Sequence, residues 1–205
     1  MPMRTRVGTL AALAVTGLAL GATLATPAEA APKAPGFLAA ADLPPQPSSS
    51  WTAGKVTRGA GEEGLGVCAK TDVPARSSAW HRDFRTELET GARQVTVVLP
   101  DTASAKSLVT RLNRDFTSCA ARIEKADPET EATGKDYGKL SVEEGAHVYG
   151  LHTESSWGAL DVNLMSVGRD GRTVTVVDWG QMGRLSDAPV KAFKKTTVTA
   201  VNKLH

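Results

Sequence analysis

The stretch 160–179, Leu-Asp-Val-Asn-Leu-Met-Ser-Val-Gly-Arg-Asp-Gly-Arg-Thr-Val-Thr-Val-Val-Asp-Trp, decides the fold class. Leu160, Val162 and Leu164 alternate with Asp161 and Asn163, the period of a half-buried strand. Val174 and Val176 repeat that pattern in a second strand, Thr173 to Trp179. Between them, Arg169-Asp170-Gly171-Arg172 carries the Asp-Gly pair of a tight hairpin turn. Two strands joined by so short a turn are antiparallel.

Working outward, Ala146 to His152 reads as the preceding strand. Upstream, Phe84, Thr86 and Leu88 alternate with Arg85, Glu87 and Glu89. Gly91 interrupts, and Val95, Val97 and Leu99 resume on one face, so a hairpin through Thr90-Gly91-Ala92 is expected. Pro100 ends that strand and Asp101 can cap a helix. Leu108, Leu112, Phe116, Cys119 and Ile123 then give the stripe of an amphipathic helix over 102–124, with Lys106, Arg111, Arg114 and Arg122 on its solvated side. A last helix begins near Ser186 or Asp187, with Pro189 in its first turn and Val190, Phe193, Thr197, Val201 and Leu204 facing inward. Segment 125–138 reads as a polar loop. Its acids Asp127, Glu129 and Glu131 lack the glycine and terminal glutamate of a calcium loop. Residues 51–80 read as irregular, with a short strand near Gly66–Ala69, and Gly59, Gly61, Gly64 and Gly66 as a flexible surface loop.

The expected fold is α+β. A twisted, mostly antiparallel sheet of about five to six strands carries two helices on one face. The other face would present Asp161, Asn163, Met165, Thr173, Thr175, Val177 and Trp179.

The N-terminus reads differently. Arg4 and Arg6 precede a charge-free run from Val7 to Leu24, and Ala28-Glu29-Ala30 fits a small-x-small cleavage site. Residues 1–30 are thus expected to be a signal peptide cleaved after Ala30, 31–50 a flexible Pro/Ala/Ser-rich segment with a helical turn near 37–43, and 51–205 a single domain. Losing Arg4, Arg6 and Glu29 takes the formal charge from +2 to +1. So neutral a chain has no basic excess for nucleic acid, and no stable membrane span is expected after cleavage. Export favours a disulfide between the two cysteines, Cys68 and Cys119, worth roughly 2–4 kcal/mol.

Chemistry is sparse. His147 and His152 are five apart on one strand and face opposite ways. No zinc spacing, phosphate loop, nucleophile elbow or dinucleotide fingerprint occurs. The carboxylate pairs Glu87/Glu89, beside Arg85 on one strand face, and Glu143/Glu144 read as ion-paired strand surface. No catalytic residue, metal or cofactor is expected. Tyr149, Trp157 and Trp179, with Asp161 and Asn163, could line a shallow groove for a ligand.

The order of elements resembles the extracellular sensor domain of mycobacterial PknH-type receptor kinases and its secreted actinobacterial relatives. The likeness rests on Phe37-Leu38-Ala39-Ala40-Ala41-Asp42-Leu43-Pro44, the Cys68/Cys119 pair, the hairpin through Gly168-Arg169-Asp170-Gly171 and the closing helix. It implies a sheet with two helices on one side and a cleft for an unknown ligand, with no catalytic residues to carry over. The chain has no kinase domain and a single cysteine pair. The expectation is a secreted, monomeric, non-enzymatic binding or sensor-like domain whose partner is an unidentified small molecule or cell-envelope component. The alternatives are a protein-interaction or inhibitor module using 125–138, or an unrecognised hydrolase.

Overall fold

Turn chemistry and strand register set the architecture. The computed structural model describes residues 33–205, so the signal-peptide reading of 1–30 and its cleavage site lie outside the described residues. Within 33–205 the strands are β1 (Thr52–Ala53), β2 (Thr57–Arg58), β3 (Ser78–Arg85), β4 (Gly91–Val98), β5 (Thr130–Leu140), β6 (Ala146–Ser155), β7 (Leu160–Asp170) and β8 (Thr173–Met182). The helices are α1 (Thr102–Thr117), α2 (Cys119–Ala126) and α3 (Val190–Asn202). The fold is α+β with one antiparallel sheet in the order β1-β3-β4-β8-β7-β6-β5, and β2 also pairs with β3. At eight strands it is larger than the expected five to six.

The extra strands are ones that bury little. β1 and β2 are two residues each, along the outer edge of β3. β5 occupies most of the expected polar loop. It is an edge strand with charged Glu131, Lys135, Asp136 and Lys139, a composition that discourages pairing with another chain. No strand forms at 66–69, which belongs to a loop. β3 begins earlier than expected and ends at Arg85. The tight turn is Thr86–Thr90, closed by Thr86 N–H donating to Thr90 O at 3.0 Å, and Gly91 opens β4 instead of interrupting it.

The helices lie on both faces of the sheet, not on one. The β7–β8 hairpin closes with Asp170 opposite Thr173, so Met165 pairs with Asp178, Val167 with Val176 and Leu164 with Trp179. Odd residues of β7 therefore share a face with even residues of β8. On the first face, Val95, Val97, Tyr149, Met165, Val167, Val174 and Val176 pack with Leu108, Leu112 and Phe116 of α1. On the second, Val148, Val162, Leu164, Val177 and Trp179 pack with Phe193 and Ala200 of α3 and with Leu38 and Leu43. The expected open face thus splits: Met165 is covered by α1, whereas Val177 and Trp179 lie under α3.

Asp101 caps α1, its Oδ1 accepting the Ser104 N–H at 2.7 Å. The helix expected to run to 124 breaks at Ser118, and the apolar stripe continues across the break into α2. Arg122, expected to be solvated, pins that corner by donating to Cys68 O at 2.7 Å and Asp115 O at 2.9 Å. Cys68 and Cys119 are joined, closing a loop of 51 residues. Ser186 and Asp187 lie in a short 3₁₀ turn, Leu185–Asp187, and Pro189 caps α3.

The segment expected to be flexible is strapped to the second face. Leu38 is fully buried. Its N–H donates to Gln94 Oε1 at 2.7 Å and its carbonyl accepts from Arg82 Nη1 at 2.9 Å. The helical turn forms at Ala40–Asp42, and Thr196 Oγ1 of α3 donates to Asp42 O at 2.6 Å. The strap covers a polar sheet centre, where Gln94 Nε2 donates to Thr175 Oγ1 at 3.1 Å. These side chains satisfy backbone groups that would otherwise be buried without partners.

Candidate functional site

The site is built from side chains that two strands lack. Gly91 and Gly180 are register partners on β4 and β8, the central strands, and both lie on the α1 face. Without a Cβ at either, the sheet forms a low floor there. The volume where Cβ of residue 180 would sit is taken by Asn163 Oδ1, reaching over from β7. Asp161 and Met182 are opposite one another one step further along. Above this floor a cleft of about 960 Å³ opens, walled by the 61–67 loop on one side and Ile123 of α2 on another.

The glycine-rich loop is not a free surface loop. Leu65 is 2% exposed, and Cys68 ties the loop to α2. His81 Nδ1 lies 2.8 Å from Gly59 O. Arg93 ion-pairs with Glu63 at 3.0 Å and donates through Nη2 to Ala60 O. Gly66 has φ +117, and a Cβ there would overlap Asp178 Oδ2. Glycine is what lets the backbone lie directly on the carboxylate. Val67 N–H then donates to Asp178 Oδ2 at 3.3 Å.

Asp178 is the most perturbed group of the cleft. Burial pushes its carboxyl up to about 7, against the Val67 N–H and the Arg93 charge, which pull it down, while Glu63 adds to the rise. The residue is only partly exposed, and Oδ1 is buried with no hydrogen-bond partner among the described residues. Arg93 stands opposite it on β4 and is itself nearly buried, with Nε equally unpartnered. A buried acceptor and a buried donor thus stay open side by side at one end of the cleft. Leaving such groups unpaired costs on the order of 1–3 kcal/mol each.

Of the five residues expected to form a groove, three are on the cleft's lining, Asp161, Asn163 and Trp179. Tyr149 is on the same face but sealed beneath α1. Its hydroxyl donates to Asn113 Oδ1 at 3.0 Å, and its ring meets Phe116 edge-on at 5.7 Å. The Trp179 side chain belongs to the opposite core, and its ring N–H has no partner among the described residues. Trp157 is 72% exposed on the β6–β7 connection and does not line the cleft. Sequence reasoning missed Asp178, Arg93 and the two floor glycines.

Other chemistry is dispersed. His147 bonds Asp136 at 2.7 Å and stacks on Tyr149, while His152 lies on the α3 face, paired across the ladder with Val162. Among the described residues no group of three or more His, Cys, Asp or Glu is placed to hold a metal ion. Nor is any described helix long and apolar enough to cross a membrane. The disulfide is compatible with an extracellular protein. Comparison with family models, with curated proteins and with solved structures returns no match, so the site's meaning rests on its own chemistry.

Proposed function

We propose that this chain is a secreted, non-enzymatic binding domain that takes a small molecule or cell-envelope component into the cleft beneath the 61–67 loop. One observation carries the reading: Asp178 Oδ1 and Arg93 Nε lie buried and unpaired in a cleft of about 960 Å³. That volume suits a small organic ligand, and a ligand donor that pairs Asp178 Oδ1 recovers its desolvation cost. The disulfide and the signal-peptide grammar of residues 1–30 support export. The resemblance to PknH-type sensor domains supports a ligand cleft on an antiparallel sheet, although here the helices lie on both faces.

The alternatives have less behind them. A hydrolase would need carboxylates or His147 and His152 to converge in a pocket with perturbed pKa values. Neither histidine lines the cleft, and the support for a hydrolase is the cleft's carboxylates alone, with Asp178 pushed up to about 7. An inhibitor would need a projecting loop at 125–138, and most of that segment is β5. Native mass spectrometry of protein recovered from culture medium tests the reading. The expected mass is residues 31–205 less two hydrogens, plus a component lost on denaturation. Recovery only in cells with residues 1–30 retained would overturn the secreted assignment.

A further inference from the structure

Resting on the binding reading above, we infer that the cleft selects a ligand bearing an ammonium or guanidinium group, held between Asp178 and Asn163, with an apolar remainder. The charge inventory points there. Five carboxylates line the cleft, from Glu63, Asp83, Glu89, Asp161 and Asp178, against the single cation Arg93. Arg93 is already committed: its Nη1 lies 3.0 Å from Glu63 and 3.6 Å from Asp83, and Nη2 donates to Ala60 O. It neutralises the loop side of the cleft and holds the loop down. Asp161, Asp178 and Glu89 have no ion-pair partner among the described residues. The uncompensated charge is therefore negative and sits over the glycine floor.

Two acceptors there, on Asp178 and Asn163, are spaced for one cationic head. Asp161, four positions along β7 from the partner of Asp178 and so about 13 Å away, adds negative charge from the far end. Asn163 lies opposite Gly180, two positions along β8 from Asp178. Such diagonal neighbours are roughly 7–8 Å apart at Cα, a gap that one ammonium with its hydrogen bonds can bridge. Asn163 presents its side-chain oxygen over Gly180, and Asp178 Oδ1 is a buried acceptor with nothing to accept. A bare metal ion fits less well, because no three ligating side chains converge. Val67, Ile123, Leu151 and Met182 supply apolar wall, and Val67 and Met182 are 60% and 65% exposed. An anion would meet the unpaired carboxylates of Asp161 and Glu89 and only the unpartnered Nε of a committed arginine.

The test is an amide-resolved NMR titration of the full-chain protein with three compounds of matched size: 2-phenylethylammonium, 2-phenylethanol and phenylacetate. Calcium chloride is the inorganic control. The expected result is that the ammonium compound alone shifts the Gly66, Val67, Gly91 and Gly180 amides. Asp178→Asn and Asn163→Ala, each checked for a native-like spectrum, should each weaken it, the first at least ten-fold. If the alcohol or the acid binds as well as the ammonium, the charge selectivity is wrong and the small-molecule cleft stands. Calcium shifting the same amides more strongly would also overturn it, in favour of a metal. If none of the probes moves these amides, the inference and the binding reading fall together. Unweakened binding to both variants would place the ammonium elsewhere and overturn the assignment.

Discussion

Asp178→Asn should stabilise the protein at alkaline pH and do almost nothing in acid. Asn has the same shape and carries no charge, so its effect isolates the cost of burying the carboxylate. The carboxyl titrates near 7 in the fold, raised from 3.8 chiefly by burial. Because the folded value is raised, the folded state binds the extra proton between those two values. Stability is then greatest below the unfolded value and is lost as pH rises through the folded one. Linkage converts the shift to a loss of roughly 2–3 kcal/mol between about pH 5 and pH 8. Asp178 is partly open to the cleft, so water screens part of the penalty and we take about 2 kcal/mol. Urea unfolding of both proteins at the two pH values gives the double difference, in which any misfit of the amide cancels. The reasoning is refuted if the gap between variant and parent is the same at both pH values. A carboxylate kept at that cost is the pattern expected of a group retained for binding rather than stability.

Three further outcomes follow from the packing. Leu38→Ala removes a fully buried side chain from beneath α3 and should cost roughly 2–5 kcal/mol by thermal unfolding, whereas a free tail would show no change. Gly66→Ala sets a Cβ against Asp178 at φ +117 and should cost roughly 1–3 kcal/mol. It should also speed proteolytic cleavage within 59–69, and an unchanged cleavage rate would show that the loop is not held by this contact. Reducing Cys68–Cys119 opens a 51-residue loop and should lower the urea midpoint by an amount equivalent to about 3–4 kcal/mol. An unchanged midpoint would mean that the unfolded chain is constrained some other way.

The α+β class, the β7–β8 hairpin and the α1 stripe were legible because each is written as local periodicity or turn chemistry, and the disulfide because an exported chain has only two cysteines to pair. What buries few side chains was not. β5 has no apolar alternation, since an edge strand half open to water owes its place to the backbone ladder with β6. The strap at 33–47 reads as Pro/Ala-rich linker, and its docking depends on Gln94 and Arg82, more than 40 residues away. The break at Ser118 is likewise invisible to a stripe that keeps its spacing through the corner.

The placement of the helices was present in the sequence in a form that apolar alternation alone does not reveal. A hairpin with two central residues pairs positions whose numbers sum to an odd value, whichever pair around Gly171 forms the turn. Val162 and Leu164 therefore cannot share a face with Val174 and Val176. Val162 and Leu164 are thus buried on one side of the hairpin and Val174 and Val176 on the other, so both faces must be covered, and helices on opposite sides follow. The same parity puts Asp178 and Gly180 beside Asn163, and it sends the Trp179 ring to the far core. Register thus converts a scattered list of aromatics into a cleft defined by what is small. Gly91 and Gly180 make the floor, and Gly66 lets the loop rest on the acid. Of the aromatics expected to line a groove, the Tyr149 and Trp179 rings are taken up by the two cores, because large aromatics at central strand positions are buried there, while Asp161 and Asn163 stay on the cleft beside the glycines.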